Sequence, residues 1–370
     1  MSRSPSAGGP LRARTRRRAL RYLTSFSGLV LAALGLTHTG WWCWAFPLEA
    51  FALIPLLELL LPPDASGLSE EETAAALHEP LYDVLVYLVV PVQWLLLVVF
   101  LRGIDDPGLS TLDVAGRTFT MGLLCGVYGI NVAHELGHRR NRWERDLARA
   151  LLLTSLYLHF IIEHNRGHHR RVATPDDPAS ARFGEPIYLF WPRTVVGSFL
   201  SAWHIEAERL RKAGHAPYGL RNEMLRAMAL QGLLVAGIGW GFGGFVLQQF
   251  LIAAGVGILL LETVNYIEHY GLRRTRTGRG TYCRVMPVHS WNSDHLLGRL
   301  MLFELTRHSD HHYKASKKYQ VLESMPDSPQ LPTGYPGMMV LSLLPPLFFA
   351  VMHPRLRRLS AGQPGLELAA

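Results

Sequence analysis

Seven consecutive residues, Glu163 to His169, read Glu-His-Asn-Arg-Gly-His-His. On an α-helix His164 and His168 would lie one turn apart on one face, and His169 would point about 100° away, toward a second centre. The same side chain recurs at His134 and His138, at His308, His311 and His312, and singly at His269, which brings nine of the chain's 17 histidines into four short segments. Adjacent histidines diverge on a helix, so they serve one metal poorly and two neighbouring metals well. Nine imidazoles suffice for two ions with four or five nitrogens each. Imidazole suits iron, copper, zinc and nickel alike, so ligand type alone leaves the element open.

His134-Glu-Leu-Gly-His138 matches the zinc-protease pattern of two histidines flanking a catalytic glutamate. A catalytic zinc takes three protein ligands, however, and the other seven histidines stay unexplained. The three cysteines, Cys43, Cys125 and Cys283, are far apart and form no C-x-x-C pair, which excludes a thiolate zinc or iron site and a disulfide framework. Acids stand beside or near the histidines: Glu135, Glu163, Asp176, Asp177, Glu268 and Asp310. With the coordination spheres filled by nitrogen, they are expected as outer acceptors that orient the imidazoles. His289 and His295, flanking Ser290-Trp291-Asn292-Ser293-Asp294, are two further candidates for that outer layer.

Long apolar runs must position these groups. A segment of about 20 apolar residues crosses a bilayer. Six runs qualify, at 22–39, 41–62, 82–101, 112–133, 225–245 and 247–267, and the fold expected is an all-α integral membrane protein with six transmembrane helices. Trp41, Trp42 and Trp44 suit interfacial depth. The stretch 147–162 is apolar too, but as a span it would separate His134/His138 from His164/His168/His169 by about 30 Å; it is therefore expected to dip or lie flat. Residues 1–21, with seven arginines and no acid, are expected as a disordered basic tail. Residues 22–354 are expected as one membrane domain, with 170–222 a polar insertion, and 355–370 as a C-terminal tail. The net charge of +8 collects in the N-terminal tail, Arg139–Arg149, Arg273–Arg284 and Arg355–Arg358. All four fall on one side of a six-span arrangement, together with every histidine cluster. The positive-inside rule makes that side cytoplasmic, with both termini there. Such loops report orientation rather than nucleic-acid binding.

Four motifs in this order, HELGHRR, EHNRGHH, NYIEHYG and RHSDHH, resemble those of the integral-membrane alkane 1-monooxygenases, within the wider superfamily of membrane fatty-acid desaturases and hydroxylases. The likeness extends to RVATPDDPASARFGE (Arg171 to Glu185), PVHSWNSDH (Pro287 to His295) and LPTGYPG (Leu331 to Gly337). It runs from about Pro62 to Pro354. Thr306, before Arg307, replaces a residue that is often Gln in relatives. The resemblance implies two non-haem irons held by the nine histidines on the cytoplasmic side of a bacterial-type inner membrane. It implies insertion of one oxygen atom from dioxygen into the terminal methyl of an n-alkane, giving a primary alcohol. The electrons would come from rubredoxin and, upstream, an NADH-dependent reductase, since the chain has no flavin or haem motif of its own. Basic residues at Arg139–Arg142, Arg170/Arg171 and Arg273–Arg279 would suit an acidic carrier, and equally follow from topology alone. A related enzyme acting on aryl-methyl or fatty acyl groups would use the same metal chemistry. A histidine-rich metal transporter would need polar residues inside the spans to line a path; here the clusters sit at span ends, and the span interiors are nearly free of charge.

Overall fold

In the computed structural model, which describes residues 9–362 and 365–369, five helices have the length and composition to cross a membrane. They are Gly9–Thr37, Gly40–Leu60, Pro80–Gly103, Glu223–Phe242 and Gly244–His269. The first corrects an expectation. Residues 9–21 form a helix instead of a disordered tail, and Gly9–Leu20 leads straight into the first apolar run. The segment has its own packing: Thr15, Ala19 and Tyr22 are buried, the Tyr82 hydroxyl donates to the Thr15 carbonyl, and Arg14 pairs with Glu72 of the helix Glu70–His78. Residues 1–8 of the expected tail lie outside the described residues.

The run expected as the fourth span is helical over 111–137. It is less apolar than the other five because it is enclosed by them. Asp113 accepts from the Gly40 amide at 2.5 Å, and Arg117 donates to the carbonyls of His38 and Gly103 at 2.9 and 2.7 Å. Two charged side chains thus satisfy the backbone groups left open where neighbouring helices end. Farther along, this helix lies so close to Gly244–His269 that a Cβ at Gly122 would stand 2.5 Å from the Val256 side chain. Gly257 meets Cys125 from the other side in the same way, at 2.6 Å. Small residues at such crossings let backbones approach and fix the register.

The apolar stretch 147–162 does not make a continuous helix. Arg142–Thr154 ends after 13 residues, Leu156 takes a left-handed backbone (φ 55°), and the helix restarts at Phe160. Thirteen residues rise about 20 Å, short of a crossing. The polar insertion holds a helix of 26 residues, Ile187–Lys212, whose Thr194 donates to Glu262 on Gly244–His269.

The C-terminal tail is also built in. Pro345–Gly362 is helical, Leu356 is buried against Gly271, and strand Leu366–Leu368 pairs antiparallel with Leu272–Arg274. That small sheet departs from the all-α expectation. It forms because the chain after His269 leaves its helix through Gly271, at φ 72°, and the returning C-terminus covers the extended segment that follows.

Candidate metal centre

All four histidine-bearing segments meet at one end of the helix bundle. Their ring nitrogens form two groups: His134, His138, His164, His169 and His311 in one, and His168, His269, His308 and His312 in the other, each with its ligand atoms within 4.8 Å of one another. His134 and His138 come from the end of helix 111–137, His269 from the last residue of Gly244–His269, and His308, His311 and His312 from the short helix His308–Tyr313.

The grouping overturns one reading of the spacing. Residues His164–His168 form a π turn rather than an α turn. A π turn closes i to i+5, so His164 and His169 share a group, with Nε2 atoms 3.0 Å apart, and His168 is the residue sent to the second group. At His308–Tyr313, an α-helix, the i and i+4 pair His308 and His312 does stay together.

The geometry within each group is that of converging lone pairs. Nε2 atoms stand 2.9 Å apart for His134 and His311, 3.2 Å for His138 and His164, 3.2 Å for His168 and His312, and 3.2 Å for His269 and His308. His169 Nε2 alone has three such neighbours, His138, His164 and His311, at 3.3, 3.0 and 3.2 Å. One N–H can donate to only one of them. Donors bound at about 2.1 Å to a shared ion lie roughly 3.0 to 3.4 Å apart at octahedral or tetrahedral angles. The residues present therefore fit a pair of metal ions. Burial, and then the neighbouring imidazoles, push His164, His169, His311 and His312 well below the ordinary imidazole range, in keeping with neutral ligands.

Two acids reach an imidazole. Asp177 Oδ2 accepts from Nδ1 of His168 at 2.9 Å, and outweighs burial to raise that histidine's pKa. Glu268 Oε2 lies 3.2 Å from Nε2 of His308. The other expected outer residues do different work. Glu135 pairs with Arg139 at 2.7 Å, Glu163 with Arg171 at 2.6 Å, and Asp310 with Lys317 at 2.8 Å. Glu135, Glu163 and Asp310, each next to a histidine in sequence, thus hold a cation, whereas Glu268 does not. Asp176 is exposed. His289 accepts from the Met286 amide and donates to the Gly365 carbonyl, tying the C-terminal strand, and His295 meets Ser293. The motif around them braces the third cluster instead: Asn292 Oδ1 accepts from Ser309, and Asp294 faces Arg307 at 3.5 Å.

Two residues inside the Glu163–His169 segment brace neighbouring elements. Asn165 donates to the Gly137 carbonyl at 3.1 Å, closing the helix that carries His134. Arg166 bridges Glu206 and Glu223 at 3.1 and 3.0 Å, clamping the helices Ile187–Lys212 and Glu223–Phe242. Glu262 was missed altogether; buried, it accepts from Tyr157, Thr194 and Asn265.

A cavity rises from the histidines between the helices. Its walls are Phe46, Phe51, Ile54, Val127, Leu260, Leu261, Val264, Met301 and other apolar residues, and its base is His134, His164 and His308 with Asn131, Asn265 and Glu268.

Comparison with known proteins identifies the arrangement. The fatty acid desaturase family model matches residues 113–342. The chain is 42% identical over 331 residues to alkane 1-monooxygenase 1 of Pseudomonas aeruginosa, covering 88% of this chain and 86% of that one. The chain belongs to the alkane 1-monooxygenase family. It is likewise 37% identical to alkane 1-monooxygenase 1 of Alcanivorax borkumensis, over 93% of this chain and 86% of the relative. A more distant likeness, 30% over 88% of this chain and 85% of the relative, is to the xylene/toluene monooxygenase hydroxylase component XylM of Pseudomonas putida. As a member of this family the chain is a membrane monooxygenase with a histidine metal site.

Proposed function

We propose that this enzyme hydroxylates the terminal methyl of n-alkanes to primary alcohols, with two irons held by the nine histidines and electrons delivered by rubredoxin. The observation that carries the reading is the cavity, apolar along its walls and ending on histidines of both groups. Bound iron would supply the activation of dioxygen that the side chains cannot. The protein's own contribution is positioning. An alkane has no polar handle, so only an apolar slot closed at one end can present its methyl to the histidine base. Phe160, stacked 4.8 Å from the His164 ring, forms part of that closed end. Surrounding apolar side chains exclude water from the reacting centre. Asp177 holds His168 in the tautomer with Nε2 free to bind.

The orientation we infer, with the metal centre and both ends of the chain toward the cytoplasm and six crossings including 111–137, is supported by the arginine distribution. Arg139, Arg171 and Arg274 are committed to internal partners, which leaves Arg140, Arg142, Arg170, Arg276 and Arg279 exposed for an acidic carrier.

The likeness to XylM favours an aryl methyl as the second reading, on the same cavity. Free fatty acids fit less well, since no lysine or arginine lines the cavity to receive a carboxylate. The test is to purify the protein in detergent, measure iron per chain, and assay n-alkanes of several lengths and toluene with rubredoxin, reductase and NADH. Primary alcohol from an n-alkane is expected. Zinc in place of iron, or alcohol from toluene alone, refutes the proposal.

A further inference from the structure

Glu268 is the one carboxylate whose position differs in kind from the others around the histidines. An acid that merely orients a metal-binding imidazole takes the far ring nitrogen, as Asp177 does with Nδ1 of His168. Glu268 does not do this. Its Oε2 stands 3.2 Å from Nε2 of His308, the nitrogen that faces the other ligands, while Nδ1 of His308 has no partner. His269 Nε2 approaches the same atom, also at 3.2 Å. Nitrogen and carboxylate thus flank His308 Nε2 at the separation that donors to one ion adopt, with the carboxylate at the edge of the group, outside the 4.8 Å that encloses its four ring nitrogens.

Three further observations agree. Glu268 is 1% exposed, its polar neighbour besides His308 is the neutral Tyr335 hydroxyl, and no lysine or arginine pairs with it among the described residues. A buried carboxylate left so is costly unless a cation arrives. The group it adjoins has four histidines where its neighbour has five. His308 is the only member of that group that lines the cavity, so the carboxylate meets the group on the side facing substrate. Glu268 and His269 can do this from successive positions because Gly244–His269 ends there, each side chain reaching His308 from a different side.

We infer that Glu268 supplies an oxygen donor to the metal of the four-histidine group, completing four nitrogens with one carboxylate oxygen. The inference rests on the two-metal reading above. It makes the two ions inequivalent, one among neutral imidazoles only and one with an anionic ligand.

The test uses the full-length protein reduced and loaded with iron-57, compared with Glu268→Ala and Glu268→Gln. Wild type is expected to hold about two irons per chain in two Mössbauer components of equal area. Glu268→Ala should lose one of them, bringing iron toward one per chain. Glu268→Gln keeps the side chain's volume and so decides the matter where the alanine variant fails to fold. It should change the spectrum of one component and leave the other, with at least a tenfold loss of affinity at the altered site. Unchanged iron content and both components unchanged in Glu268→Gln would overturn the inference. Wild type that binds no iron would instead sink the two-metal reading beneath it.

Discussion

Asp177→Asn removes one charge and almost no volume, which makes it a sharp probe of the metal centre. Both Asp177 and His168 are buried, 2.9 Å apart, and the acid's other contacts come from Ser180 Oγ at 2.6 Å and the Ala179 amide at 3.2 Å. The aspartate fixes Nδ1–H on His168 and raises the basicity of Nε2. An asparagine can turn its NH₂ toward Nδ1, which moves the ring proton to Nε2 and blocks the ligand atom. Losing such an outer partner weakens metal binding about 10- to 100-fold, or roughly 1.4 to 2.7 kcal/mol. The assay is chelator competition against the reduced, iron-loaded protein under anaerobic conditions. Only the four-histidine group should weaken, so about half the iron should leave at lower chelator concentration. Ser180→Ala is the control: it removes a hydrogen bond to Asp177 but leaves the charge, and should cost less than tenfold. If Asp177→Asn retains all its iron with wild-type affinity, the assignment of His168 as a ligand oriented through Nδ1 is wrong.

Other outcomes follow from the same geometry. Gly122→Val should destabilise the protein by about 1 to 3 kcal/mol, read as a lower midpoint of thermal unfolding in detergent, because its side chain would displace Val256. Arg166→Ala should cost about 1 kcal/mol or less and leave iron content unchanged, since the arginine is partly exposed and bridges two helices without touching a histidine. Ala50→Phe, which fills part of the cavity, should lower turnover of longer n-alkanes before shorter ones, read as alcohol yield against chain length. Stability should also fall with pH. His164, His169, His311 and His312 have folded pKa values depressed by burial, so the unfolded chain binds more protons once pH drops below about 6.5. Each contributes a slope of about 1.4 kcal/mol per pH unit below that point, and a flat profile between pH 6.5 and 5 in the iron-free protein would contradict their burial as neutral groups.

Much of this site was legible because its requirements are local. Imidazoles at i and i+4 need only a helix, and His134/His138 and His308/His312 group as that spacing demands. The requirement that clusters share a membrane face also kept 147–162 from being counted as a span, and the helix there ends at Thr154 after 13 residues. What escaped was set by contacts rather than by pattern. The π turn at His164–His168 leaves no mark in composition, and it reversed the partners of His168 and His169. The helix at Gly9–Leu20 looks like a charged tail, yet Thr15 and Ala19 give it a buried edge that Tyr22 continues in the next turn. Acids adjacent to histidines were expected to serve them. On a helix the neighbouring side chain points elsewhere, so Glu135, Glu163 and Asp310 meet Arg139, Arg171 and Lys317 instead.

The balance of charge around the cluster makes a separate argument for divalent ions. Nine neutral imidazoles bring no charge, and two divalent cations would bring four positive charges into a buried place. Three buried carboxylates near the cluster, Asp177, Glu262 and Glu268, lack any lysine or arginine partner among the described residues. Glu262 and Glu268 both stand on Gly244–His269, and Asp177 lies in the turns after His169–Arg171. Asp177 accepts from His168 and Ser180, and Glu262 from Tyr157, Thr194 and Asn265, but hydrogen bonds from neutral groups offset only part of the cost of burying a charge. Cations among the histidines offset that cost, while the carboxylates lower the net charge that the apolar cavity wall must face. On the two-iron reading proposed above, the acids and the imidazoles depend on one another through bound metal, so removing an acid should be read first in bound iron and only then in turnover.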